Sequence, residues 1–67
     1  MTVVHVYRVG TEYQSARTTS EERAMEGIRC RSRERVIEVL RRWGVDERGL
    51  ACIFEQLETS EDAEVRI

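Results

Sequence analysis

The stretch SRERVIEVLRRW, residues 32–43, decides how the chain is read. Val36, Val39, Leu40 and Trp43 recur at helical spacing, with Ile37 at the margin. At about 100° per residue they share one stripe, and Arg35, Glu38, Arg41 and Arg42 fall on the other side. Gly44 follows at once, the residue type that ends a helix in the left-handed conformation. Arg41 and Arg42 in the last turn suit the negative end of the helix dipole. A stripe of this kind is core or interface, so this helix is expected to lie on a layer of something else.

Upstream, TVVHVYRV (2–9) is too short and too β-branched for a helix and reads as a strand. Val3, His5, Tyr7 and Val9 share one face, and Val4, Val6 and Arg8 the other. Apolar residues on both faces imply a central strand, or one covered on each side. Gly10-Thr11 fits a two-residue hairpin turn, and EYQSART (12–18) is the returning strand. That register sets Arg8 opposite Tyr13, Val6 opposite Ser15 and His5 opposite Ala16. The polar composition of the second strand suits an edge.

Between the hairpin and Ser32 the reading divides. Thr19 with Glu22 has the form of a capping box, and Ala24, Met25 and Ile28 make a short helical stripe. One helix over residues 20–43 would be about 36 Å long. A break near Cys30 to Ser32, with Ser32 capping a second helix, is the other reading.

Beyond Gly44, Asp46 is an N-cap for a helix from Glu47 to about Glu58. Val45 and Leu50 occupy the two positions of a hydrophobic staple. Leu50, Ile53, Phe54 and Leu57 keep helical spacing, whereas a strand would set Glu55 between Ile53 and Leu57 on one face. AEVRI (63–67) alternates like a third strand beside residues 2–9, although it would also suit a frayed terminus. The expected fold is a small single α+β domain covering residues 1–67. It has an N-terminal β-hairpin, a long or broken helix, a second helix and room for a short C-terminal strand.

A chain of 67 residues buries only about 60% of its unfolded surface, so a partner or a staple would help it. No apolar run is long enough to span a membrane, and no basic segment leads into an apolar one, so the expected location is the cytoplasm. Cys30 and Cys52 form no Cys-x-x-Cys motif. In a reducing compartment they are expected as free thiols, with a mutual disulfide the other arrangement.

Catalytic signals are absent. His5 is the one histidine and has no Ser, Asp or Cys pattern to orient it. Zinc held by His5, Cys30 and Cys52 would need three distant positions to converge without a local ligand pair. There is no phosphate loop, nucleophile elbow or H-E-x-x-H. The chain is therefore expected to be non-catalytic, without cofactor, metal or small-molecule substrate.

Charge is unevenly spread. Residues 1–43 hold nine Arg and six Glu, for +3, and residues 44–67 hold two Arg, two Asp and five Glu, for −5. All 11 basic residues are Arg, which fits either a GC-rich genome or a use for bidentate contacts. Six Arg and two Glu lie within residues 29–42. That patch suggests nucleic-acid binding, and Trp43-Gly44-Val45 before a capped helix resembles the turn of a helix-turn-helix. The following helix carries Asp46, Glu47, Glu55 and Glu58, which a major groove would repel.

The leading expectation is a protein-interaction module, either a homodimer or a chain that docks on a larger partner. An inhibitor of a host machine, carried by a phage or mobile element, is the context in view. Either Val4 and Val6 or Val3, Tyr7 and Val9 must turn outward from a helix-covered sheet. The candidate partner-binding residues are Val3, Tyr7 and Val9 together with Arg31, Arg35 and Arg42.

Overall fold

A computed structural model describes residues 1–19 and 25–67. It is an α+β fold in two layers, a four-stranded antiparallel sheet with two helices on one face. The elements run β1 (Thr2–Val9), β2 (Glu12–Thr19), β3 (Met25–Cys30), α1 (Arg33–Arg42), α2 (Glu47–Thr59) and β4 (Asp62–Arg66). The sheet order is β3-β2-β1-β4.

The hairpin has the expected register, with Arg8 opposite Tyr13, Val6 opposite Ser15 and His5 opposite Ala16. Gly10 stands at φ 63°, the left-handed conformation that this tight turn requires. β4 pairs with the other side of β1, so β1 is central. Backbone bonds from Thr2 N to Ile67 O (3.0 Å) and from Ile67 N to Thr2 O (2.8 Å) continue that ladder.

Two expectations are corrected. Residues 25–30 are a strand and not the first part of a helix. Ile28 and Cys30 pack into or against the core with a period of two, and Gly27 and Arg29 alternate to the other face. The pairing of this strand then makes β2 an interior strand, although its polarity suggests an edge. The break before Ser32 is present: Ser32 Oγ accepts from Arg35 N at 3.2 Å and caps α1. The Thr19–Glu22 capping box lies largely outside the described residues, and Thr19 itself ends β2.

α1 closes with a Schellman motif. Trp43 is the C-cap and Gly44 stands at φ 92°. Gly44 N bonds to Arg41 O (3.1 Å) and Val45 N to Leu40 O (3.0 Å), which satisfies carbonyls the helix end would leave bare. Asp46 then caps α2, its Oδ1 accepting from Gly49 N at 2.8 Å, and Val45 and Leu50 are both buried as a staple requires. α2 has no basic residue in its last turn. Arg8 reaches over from β1 instead, and its Nη2 donates to Leu57 O at 2.9 Å.

The core lies between the layers. Val4, Val6 and Ala63 from the sheet meet Val36, Val39, Leu40, Trp43, Leu50, Ile53 and Leu57 from the helical layer. Arg17 stacks its guanidinium over the Trp43 ring, 5.3 Å from the centroid. α1 lies over β2 and β3, and α2 lies over β4. Among the described residues, no helix is long and apolar enough to cross a membrane.

Candidate functional site

The fold decides which side of β1 is free. Val4 and Val6 are fully buried under the helices. Val3, His5, Tyr7 and Val9 therefore occupy the face that neither helix covers. Tyr7 is 39% exposed and Val9 62%. The three apolar candidates of the sequence, Val3, Tyr7 and Val9, thus come together on one open surface, in a strand with a neighbour on each side.

The register lays this surface out in rows. Arg29, Gln14, Tyr7 and Asp62 form one row, and Gly27, Ala16, His5 and Glu64 form the next. Thr18, Val3 and Arg66 line up in a third. The two halves differ in relief. On β1 and β4, His5 and Tyr7 stand with ring centroids 5.7 Å apart, and His5 Nε2 lies 3.1 Å from Glu64 Oε2. On β2 and β3 the middle row is only Ala16 and Gly27, and the Gln14 amide leans over Gly27. The halves differ in charge too. Arg29 marks the β3 side, next to Glu12 at 3.3 Å, and Asp62 and Glu64 mark the β4 side, with Arg66 3.8 Å from Glu64.

The free edge of β4 is partly occupied from within. Gln56 of α2 donates its Nε2 to Glu64 O (3.0 Å), and its Oε1 accepts from Glu64 N (3.1 Å). One side-chain amide thereby occupies the outward backbone groups of this residue, as a neighbouring strand would. These two bonds discourage strand addition at this point of the edge. Sequence reasoning missed Gln56, because its role depends on how α2 is laid against β4.

The arginine candidates are placed differently. Arg35 donates to Glu38 Oε1 at 2.8 Å, and Arg42 lies 3.7 Å from the same oxygen. Arg31 stands in the bend before α1. Arg41 bonds Glu47 Oε1 at 2.6 Å, and Arg33 covers the Phe54 ring at 4.2 Å from the centroid. Arg29 is on the far side of the sheet from α1. The stretch that looks uniformly basic in sequence is thus shared among several surfaces.

The thiols are separate and free. Cys30 is buried beside Ser15, its Sγ 3.7 Å from the Ser15 Oγ, and Cys52 is exposed on α2. His5 lies on the open face, so the three residues weighed for zinc occupy three different environments. A shallow groove runs between the helices, lined by Arg33, Ile37, Arg41, Leu50, Phe54 and Glu58. Comparison of the chain with family models, with curated proteins and with solved structures finds no match in any of the three.

Proposed function

We propose that the chain is a non-catalytic, cytoplasmic protein-interaction module that docks through the open face of its sheet. The observation that carries this is the exposure of Tyr7 and Val9 on a central strand, on the side away from both helices. An aromatic ring that keeps its polar tip in water and its body on a flat surface is a common interface anchor. Val3 and the His5–Tyr7 pair extend that anchor along the strand. Arg29, Asp62 and Glu64 flank it with charges that would orient a partner. A phage- or mobile-element inhibitor of a host machine is one setting in which such a face would serve.

The alternative, nucleic-acid binding through residues 29–42, draws less support. Arg35, Arg41 and Arg42 already have glutamate partners, and Arg29 faces away from α1. Site-specific photo-cross-linking tests the proposal. A photoreactive residue in place of Tyr7 should form protein adducts in the source cell, and one in place of exposed Ala51 on α2 should not. Adducts from position 51 alone, or from neither, would remove the sheet face from the argument. Affinity for mixed-sequence DNA that falls steeply with salt would favour the arginine reading instead.

A further inference from the structure

We propose that the partner of this face is a second copy of the chain, related by a two-fold axis parallel to the strands and running between β1 and β2. The inference rests on the docking reading above and names its occupant. A two-fold interface must be self-complementary, each patch meeting its counterpart on the other subunit. With the axis along the strands, β3 of one copy lies over β4 of the other, and β2 lies over β1. The rows of the sheet keep their level, because a two-fold along the strands allows no sliding.

Both relief and charge then match. In the middle row His5 of one copy comes down on Ala16 of the other, and Glu64 comes down on Gly27 and the Gln14 amide that leans over it. His5 thus meets a small residue, and Glu64 meets a glycine whose surface the Gln14 amide partly covers. In the next row Arg29 faces Asp62, and Tyr7 faces Gln14. The ion pair that Arg29 makes among the described residues, to Glu12, is exposed. An axis across the strands would instead lay each strand over its own copy, and through the middle row it would put His5 on His5, Glu64 on Glu64 and Gly27 on Gly27, which stacks bulk on bulk and like charge on like charge.

The face is the right size for a weak dimer. Four strands about 4.8 Å apart, and about 20 Å of β1 from Val3 to Val9, give a footprint of roughly 400 Å² per copy. Side-chain relief raises the total buried area to about 1,000 Å², the lower limit for a specific interface. Aligned sheets pack about 10 Å apart and rotated by about 30°, a misalignment that the reach of Arg29 absorbs. A dissociation constant in the micromolar range, about 1–100 μM, is the expectation for a small interface with few anchoring side chains.

Light scattering and sedimentation over about 10–500 μM should show a reversible monomer–dimer equilibrium in this range. Arg29→Asp and Asp62→Arg each turn two facing attractions into repulsions, and each should weaken the dimer about tenfold or more. Both positions are exposed, and circular dichroism verifies that each variant keeps the fold. Mixing the two variants restores opposite charges at both contacts, so the mixture should dimerise about as well as the unmodified chain. A chain that stays monomeric throughout, or a dimer indifferent to either substitution, overturns the proposal. So does rescue of Asp62→Arg by Arg66→Asp and not by Arg29→Asp, because an axis across the strands at the level of Glu64 pairs those two positions and the axis along the strands does not. The position 7 cross-link separates this failure from that of the docking reading. Adducts at twice the chain mass, mapped to the segment around Gln14, support the second copy. Adducts to other proteins alone leave the docking face standing and remove the second copy.

Discussion

Replacing Trp43 by alanine tests the seam on which both layers depend. The indole is 9% exposed, caps α1 and lies under the Arg17 guanidinium. Truncation to the β-carbon withdraws roughly 150–200 Å² of buried surface, or about 4–5 kcal/mol at 25 cal/mol per Å². Large-to-small replacements of this type cost about 3–5 kcal/mol, and loss of the Arg17 contact adds up to about 1 kcal/mol. A domain of 67 residues has a total stability of about 3–10 kcal/mol. Trp43→Ala should therefore fold only in part, or lose most of its resistance to urea. The assay is urea titration followed by far-ultraviolet circular dichroism, since the substitution removes the chain's one tryptophan. Trp43→Phe keeps most of the buried area and should cost about 1–2 kcal/mol. With a slope near 1 kcal/mol per molar urea, that lowers the midpoint by about 1–2 M. A Trp43→Ala midpoint indistinguishable from that of the unmodified chain would refute the placement of the indole in the core.

Two further outcomes follow from the packing. In the native state a thiol reagent should label Cys52 rapidly and leave Cys30 untouched until the chain unfolds, because Cys52 is exposed and Cys30 is fully buried. Two fast thiols per chain would contradict the burial of β3 against α1. Gly49→Ala should destabilise the fold by about 1–2 kcal/mol, although alanine ordinarily favours a helix over glycine. An added β-carbon would stand 2.7 Å from Val45 Cγ1 and 3.7 Å from Val65 Cγ2, and Val45 is itself buried and stiff about its first torsion. A raised melting temperature would show that Val45 can turn aside.

Legibility in the sequence follows the range of the interactions. The hairpin register is visible because a two-residue turn at Gly10-Thr11 leaves one way to pair the strands. The end of α1 and the start of α2 are visible because Gly44, Val45, Asp46 and Leu50 each act within a few residues. β3 has no such mark. In MEGIRC only Ile28 and Cys30 show the period of two, while Met25, Glu26 and Arg29 are good helix formers. What makes the segment a strand is non-local: β2 has backbone groups to pair, and α1 needs a floor. For the same reason β2 looks like an edge and is not one. Its inward positions are Tyr13, Ser15 and Arg17, polar by name. Yet Ser15 is fully buried against Cys30, and Arg17 lies over the Trp43 ring.

The surface shows the same division. Alternation along β1 separates Val3, Tyr7 and Val9 from Val4 and Val6, but only the placement of the helices decides which set is covered. For the arginines, counting over a stretch misleads, because a strand, a bend and a helix send neighbouring residues in different directions. Arg29 goes to the open face, Arg35 and Arg42 converge on Glu38, and Arg41 meets Glu47 from the acidic third of the chain. Part of the charge asymmetry along the sequence is thus neutralised inside one molecule and is not available to a partner. On the open sheet face Arg29 lies near one edge beside Glu12, and Asp62 lies at the other with Glu64 and Arg66; the edge strands stand three spacings, about 14 Å, apart, which keeps Arg29 and Asp62 out of direct contact. Arg29 and Asp62, fixed that far apart on one rigid surface, cannot pair with each other within the chain. They can do so across a second surface turned to meet them.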